Sequence, residues 1–80
     1  MNTLHVRYFA TYRAVTGVAE ESVETPAHSV RDLFNELVGK YPALAHYNQS
    51  MVAVNDQLSG WETELADGDS ILFFPRVSGG

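Results

Sequence analysis

A single stretch of this chain, Ser29 to Tyr41, sets the terms for its fold. Val30, Leu33, Phe34, Leu37, Val38 and Tyr41 recur at i, i+3, i+4, i+7, i+8 and i+11, so all six lie on one face of a 3.6-residue helix. The Ser29 hydroxyl can cap the open amides of the first turn, and Asp32 is placed to reach back in a capping box. Pro42, which has no backbone donor, stops the helix. One helix cannot bury its apolar face on itself. The other apolar segments must form a sheet that covers it, and each large side chain so buried contributes roughly 1.5–3 kcal/mol.

Those segments read as strands. Leu4, Val6 and Tyr8 alternate with His5 and Arg7 within Thr3 to Ala10, the period of a half-buried strand, and Phe9 falls on the polar side. Tyr12 to Thr16 predicts a short helical turn closed by Gly17. Glu20 to Thr25, with Glu20, Ser22 and Glu24 alternating against Glu21, Val23 and Thr25, predicts an exposed strand pairing back on the first. After a less regular stretch from Ala43 to Ser50 comes a short strand, Met51 to Val54, with Asn55 and Asp56 as turn formers. Gln57 to Leu65 reads as an extended or looping connection, and Ala66-Asp67-Gly68-Asp69 as a turn in which Gly68 takes positive φ. Ile71 to Phe74 is the last strand, apolar enough to be covered on both faces. With no repeat or internal boundary, the expectation is one α+β domain over residues 1–80.

Composition narrows the function classes. Eighty residues at 45% hydrophobic content fit one small domain. The absence of cysteine removes disulfides and thiolate metal sites, so any sulfur or acyl chemistry on this chain must use another group. That fits a reducing cytoplasm. No apolar run approaches the roughly 20 residues that cross a bilayer, and the N-terminus lacks a signal-peptide layout, which predicts a soluble protein without a membrane partner. A net charge of −5 argues against nucleic acid and favours a partner with a basic surface.

His5, His28 and His46 lack the close spacing of a metal site, so none is expected. Glu20, Glu21, Glu62, Glu64, Asp67 and Asp69 read as a solvated face, and Trp61 with Tyr47 as local packing. Arg13 can pair with a carboxylate of this chain or of a partner.

What remains is the end of the sequence. Pro75, Arg76, Val77, Ser78, Gly79 and Gly80 follow the last strand directly, and residues 76–80 read as a flexible tail. Glycines without Cβ can enter a narrow channel and present a carboxylate there.

Read in order, Tyr8-Phe9-Ala10, Arg13 and Gly17, Val52-Ala53-Val54-Asn55, Asp67-Gly68-Asp69 and Phe74-Pro75-Arg76-Val77-Ser78-Gly79-Gly80 resemble the MoaD/ThiS sulfur carriers, which include the small subunit of molybdopterin synthase. The resemblance spans the whole chain. Arg76 stands where a second proline is common, and Ala14 where a glutamate often follows the arginine. It implies a β-grasp, ubiquitin-like fold: a mixed sheet wrapped on one main helix, with first and last strands adjacent at its centre. It also implies a cycle. An adenylating enzyme of the ubiquitin-activating type uses ATP and Mg²⁺ to activate the Gly80 carboxyl, and a sulfur donor converts it to a thiocarboxylate. The sulfur then goes to a pterin in the large subunit of molybdopterin synthase, within a heterotetramer. The chain itself needs no bound cofactor and is not catalytic alone. A carrier for thiamine thiazole synthesis, a ubiquitin-like modifier and a plain binding module are the other readings.

If first and last strands are neighbours, parity places Leu4, Val6, Tyr8, Ile71 and Phe73 against the helix and sends Phe9, Leu72 and Phe74 to the opposite side. Those three predict an exposed apolar patch for docking, with residues 75–78 leading from it to Gly79 and Gly80.

Overall fold

Alternating side chains from two stretches far apart in sequence build the centre of the sheet. The computed structural model describes residues 1–47 and 50–75. β1 (Asn2–Tyr8) and β5 (Ser70–Phe74) run parallel, with Val6 opposite Ile71 and Tyr8 opposite Phe73. β2 (Glu20–Thr25) pairs antiparallel with the free edge of β1. β3 (Met51–Val54) pairs antiparallel with the other edge of β5, and β4 (Gln57–Ser59) closes a hairpin on β3. The strand order is β2-β1-β5-β3-β4.

Of the predicted helical stripe, Val30, Leu33, Phe34 and Leu37 are fully covered, and Val38 and Tyr41 are half-buried at its edge. This helix, α2 (Val30–Lys40), packs on Leu4, Val6, Tyr8, Val52, Val54, Ile71 and Phe73 of the sheet's inner face. Ser29 Oγ accepts a hydrogen bond from the Asp32 amide at 3.2 Å, as expected of the cap. Among the described residues, Asp32 makes no return bond to the Ser29 amide, so only half of the capping box forms. A shorter helix, α1 (Thr11–Thr16), ends at Gly17 with φ of 80°, a left-handed value that glycine adopts at little cost.

Three features differ from the reading of the sequence. The segment after Pro42 is a 3₁₀ helix (Pro42–Tyr47), which inserts Leu44 into the core. The presumed connection after Asp56 contains β4, made possible by Asn55 and Asp56 at φ of 52° and 67°, the two-residue turn whose twist suits a hairpin. Ala10 takes φ 53° and ψ −118° between β1 and α1, and Tyr12 N donates to Phe9 O at 3.1 Å. That is a mirror-image turn whose first central residue is normally glycine.

Candidate docking face and the approach to the terminal glycines

Strand parity places a row of side chains on the sheet face away from α2. Arg7 lies opposite Leu72, Leu72 opposite Ala53, and Ala53 opposite Leu58. In the next row Phe74 lies opposite Met51. Phe9 continues the parallel ladder one residue past β1, its amide donating to Phe73 O at 3.0 Å. Of the three residues expected to be exposed there, only Phe9 is, and Leu58 joins it on that face. Phe9 is 61% exposed and Leu58 65% exposed, whereas Leu72 and Phe74 are half-buried between their neighbours. Leu58 was missed from sequence because its strand was. The turn pair Asn55-Asp56 was the signal that could have found it.

At the end of β5 the single Ser50 hydroxyl proton is shared between Met51 O, at 2.7 Å, and Phe74 O, at 3.2 Å. These contacts hold the end of β5 beside the start of β3. Pro75 is half-buried. Arg76, Val77, Ser78, Gly79 and Gly80 lie outside the described residues.

A cleft beside the patch is lined by Arg7, Phe9, Arg13, Glu20 and Leu72. Glu20 sits 3.5 Å from His5 Nε2. The remaining polar groups read from sequence are dispersed. Glu62 pairs with Arg31, Asp67 accepts from the Thr3 amide, and Asp69 accepts from the Ala66 amide and the Asn55 side chain. Trp61 packs edge-on to Phe34 at 5.1 Å, and Tyr47 packs on Tyr12 at 5.4 Å, so the two belong to separate local clusters. No group of three or more His, Cys, Asp and Glu among the described residues is placed to hold a metal ion. No described helix is long and apolar enough to cross a membrane.

Glu21 corrects the reading of a uniformly solvated acidic face. It points inward, on the same side of β2 as Val23 and Thr25, and only 15% of its side chain is exposed. Burial pushes its carboxyl pKa up, but hydrogen bonds from Lys40, Tyr8 and Tyr41 outweigh this and hold it below the usual carboxylate range. Burial, reinforced by that carboxylate, pushes the Tyr8 phenol well above its ordinary value.

Among the described residues the main feature of the outer sheet face is thus apolar, with Phe9 and Leu58 exposed beside the strand that ends the described sheet. The sequence model of the ThiS family matches residues 6–80, nearly the whole chain. This chain belongs to the ThiS family. A relative from Mycobacterium tuberculosis, the molybdopterin synthase sulfur carrier subunit, is 36% identical over 83 residues that include all of both chains. The putative molybdopterin converting factor subunit 1 of Pyrococcus furiosus superposes on this ThiS-family chain with a TM-score of 0.85 at 33% identity, covering 96% of this chain and all of that one. The small archaeal modifier protein 1 of Haloferax volcanii matches with a TM-score of 0.85 at 25% identity, with the same coverage. A complex of subunits 1 and 2 of the molybdopterin-converting factor from Helicobacter pylori contains a chain matching at TM-score 0.66 and 25% identity, covering 98% and 99%. The fold of this ThiS-family chain is therefore the ubiquitin-like β-grasp.

Proposed function

We propose that this chain carries sulfur on Gly80 as a thiocarboxylate and delivers it for dithiolene formation in molybdopterin synthesis. The observation that carries the reading is end-to-end likeness to a sulfur carrier subunit, running through the Gly79-Gly80 end. A carboxylate is a poor electrophile. An adenylating partner using ATP and Mg²⁺ would join the Gly80 carboxyl to AMP and release pyrophosphate. The outer sulfur of a persulfide on the sulfur donor would then displace AMP to give an acyl disulfide, and a second thiol of the donor would cleave its S–S bond, releasing the Gly80 thiocarboxylate and leaving a disulfide on the donor. The large synthase subunit would receive the loaded end, and the outer face around Phe9, Leu58, Leu72 and Phe74 supplies an apolar surface for both partners in turn.

Likeness to an archaeal modifier favours a second reading, in which Gly80 is joined to lysines of other proteins. Intact mass of the chain from its native cell separates the two: a thiocarboxylate adds the sulfur-for-oxygen difference, whereas a modifier appears in covalent ladders. Deleting Gly80 abolishes sulfur transfer in a defined assay with the large subunit while leaving the melting temperature unchanged, and Gly79→Val does nearly the same by blocking a narrow channel. Pterin sulfuration by the chain lacking Gly80 would overturn the carrier reading.

A further inference from the structure

We propose that Arg7 is the charged contact of the docking face and takes an Asp or Glu carboxylate of the large synthase subunit. The inference rests on the docking reading above and adds the chemistry of its partner. Arg7 is exposed on the outer face, between Leu72 of β5 and Glu20 of β2. Glu20 is its cross-strand neighbour and would be its natural ion partner. Yet the Glu20 carboxylate lies 3.5 Å from His5 Nε2 instead, and among the described residues no ion pair includes Arg7 or Arg13. Arg7 and Arg13 both line a cleft that Phe9 and Leu72 also line.

The long-range field and the local contact therefore have opposite signs. A net charge of −5 favours a basic partner at a distance, but the cleft beside the apolar patch is lined by two permanent cations and one carboxylate, that of Glu20, which lies near the His5 ring. A protein seated on the patch covers this cleft and desolvates Arg7. An unpaired charge buried that way is costly, and a carboxylate meeting the planar guanidinium through two hydrogen bonds removes the cost. His5 acts as a positioning residue by keeping Glu20 from competing for Arg7.

The test is calorimetric titration of the large subunit with the full chain at about 50 and 300 mM salt, which brackets strong and weak screening. Arg7→Glu weakens binding by about tenfold or more at low salt, consistent with loss of a close interfacial charge pair, and flattens the salt dependence. Arg7→Gln, which reverses no charge, gives a smaller loss in the same direction. His5→Gln weakens binding a few-fold, about 2 to 4 times, by releasing Glu20, and Glu20→Gln in that background restores it. Phe74→Ser weakens binding at both salt concentrations and keeps the salt slope. Wild-type affinity for both Arg7 variants beside a weakened Phe74→Ser overturns the assignment and leaves the docking face standing. Wild-type affinity for all of them overturns the docking face and this inference with it.

Discussion

The Tyr8 phenol donates a 2.7 Å hydrogen bond to the Glu21 carboxylate, diagonally across the β1–β2 pair. Tyr41 donates to the same carboxylate at 2.9 Å and Lys40 at 2.5 Å, so one acidic group on an edge strand ties the sheet to the end of α2. Because the folded carboxyl is held below its ordinary value of 4.5, the stabilisation it gives is complete above that value. It is lost as the pH falls through the lowered folded value.

Glu21→Gln should therefore cost about 1.5–3 kcal/mol near neutrality, the range for a hydrogen bond to a charged group. It should also flatten the acid limb of the stability curve. Thermal melts of both proteins from about pH 6 down to pH 2 check this; parallel acid limbs would show that Glu21 is not the group responsible.

Ala10 offers a case where stability and binding should move apart. Its left-handed φ with ψ of −118° is a conformation that costs a residue with Cβ about 1–3 kcal/mol. Ala10→Gly should raise the unfolding free energy by about 1 kcal/mol in denaturant melts. The same change frees the backbone beside Phe9, so affinity for the large subunit should fall. A destabilised Ala10→Gly protein would contradict the strain argument.

Leu58 and Phe74 share the outer face but differ in exposure. Leu58→Ser should weaken binding of the large subunit with a stability change within about 0.5 kcal/mol, as for an exposed site. Phe74→Ser should weaken binding by about 2 kcal/mol or more, as a central aromatic anchor does. Being half-buried against Met51, it should also lower stability, by about 1 kcal/mol. Paired calorimetry of unfolding and binding separates the two residues, and equal stability losses would mean that Leu58 is covered in solution.

The helix was legible because its six apolar residues repeat over three turns, and the central strands because Leu4, Val6 and Tyr8 alternate. β4 was not, since Gln57-Leu58-Ser59 is too short to carry a period and its place depends on pairing with Val52, Ala53 and Val54. Pro42 gave the end of α2 but not the 3₁₀ turn beyond it, where Leu44 alone is buried and no spacing repeats. Nothing in Phe9-Ala10-Thr11 announces positive φ, because tertiary packing and not residue preference sets that turn. Glu21 could have been found: it alternates in phase with Val23, which already placed it on the inner side. The placement of Leu72 and Phe74 on the outer face followed from parity once the first and last strands were made neighbours. The cationic border of that face did not, because the register pairs Glu20 with Arg7 and only the side-chain geometry sets its carboxylate near His5.

The position of β5 between β1 and β3 governs how the molecule comes apart. The β1–β2 pair and the β3–β4 hairpin reach each other through the sheet only by way of residues 70–74. Local opening of an edge leaves that join intact, so β5 amides should exchange with solvent only when the whole domain unfolds. Leu72 and Phe74, on the proposed docking face, are thus rooted in the segment that should open last. A protein that closes over them shields the seam of the domain, and its binding energy adds to the global unfolding free energy rather than merely quieting a loop.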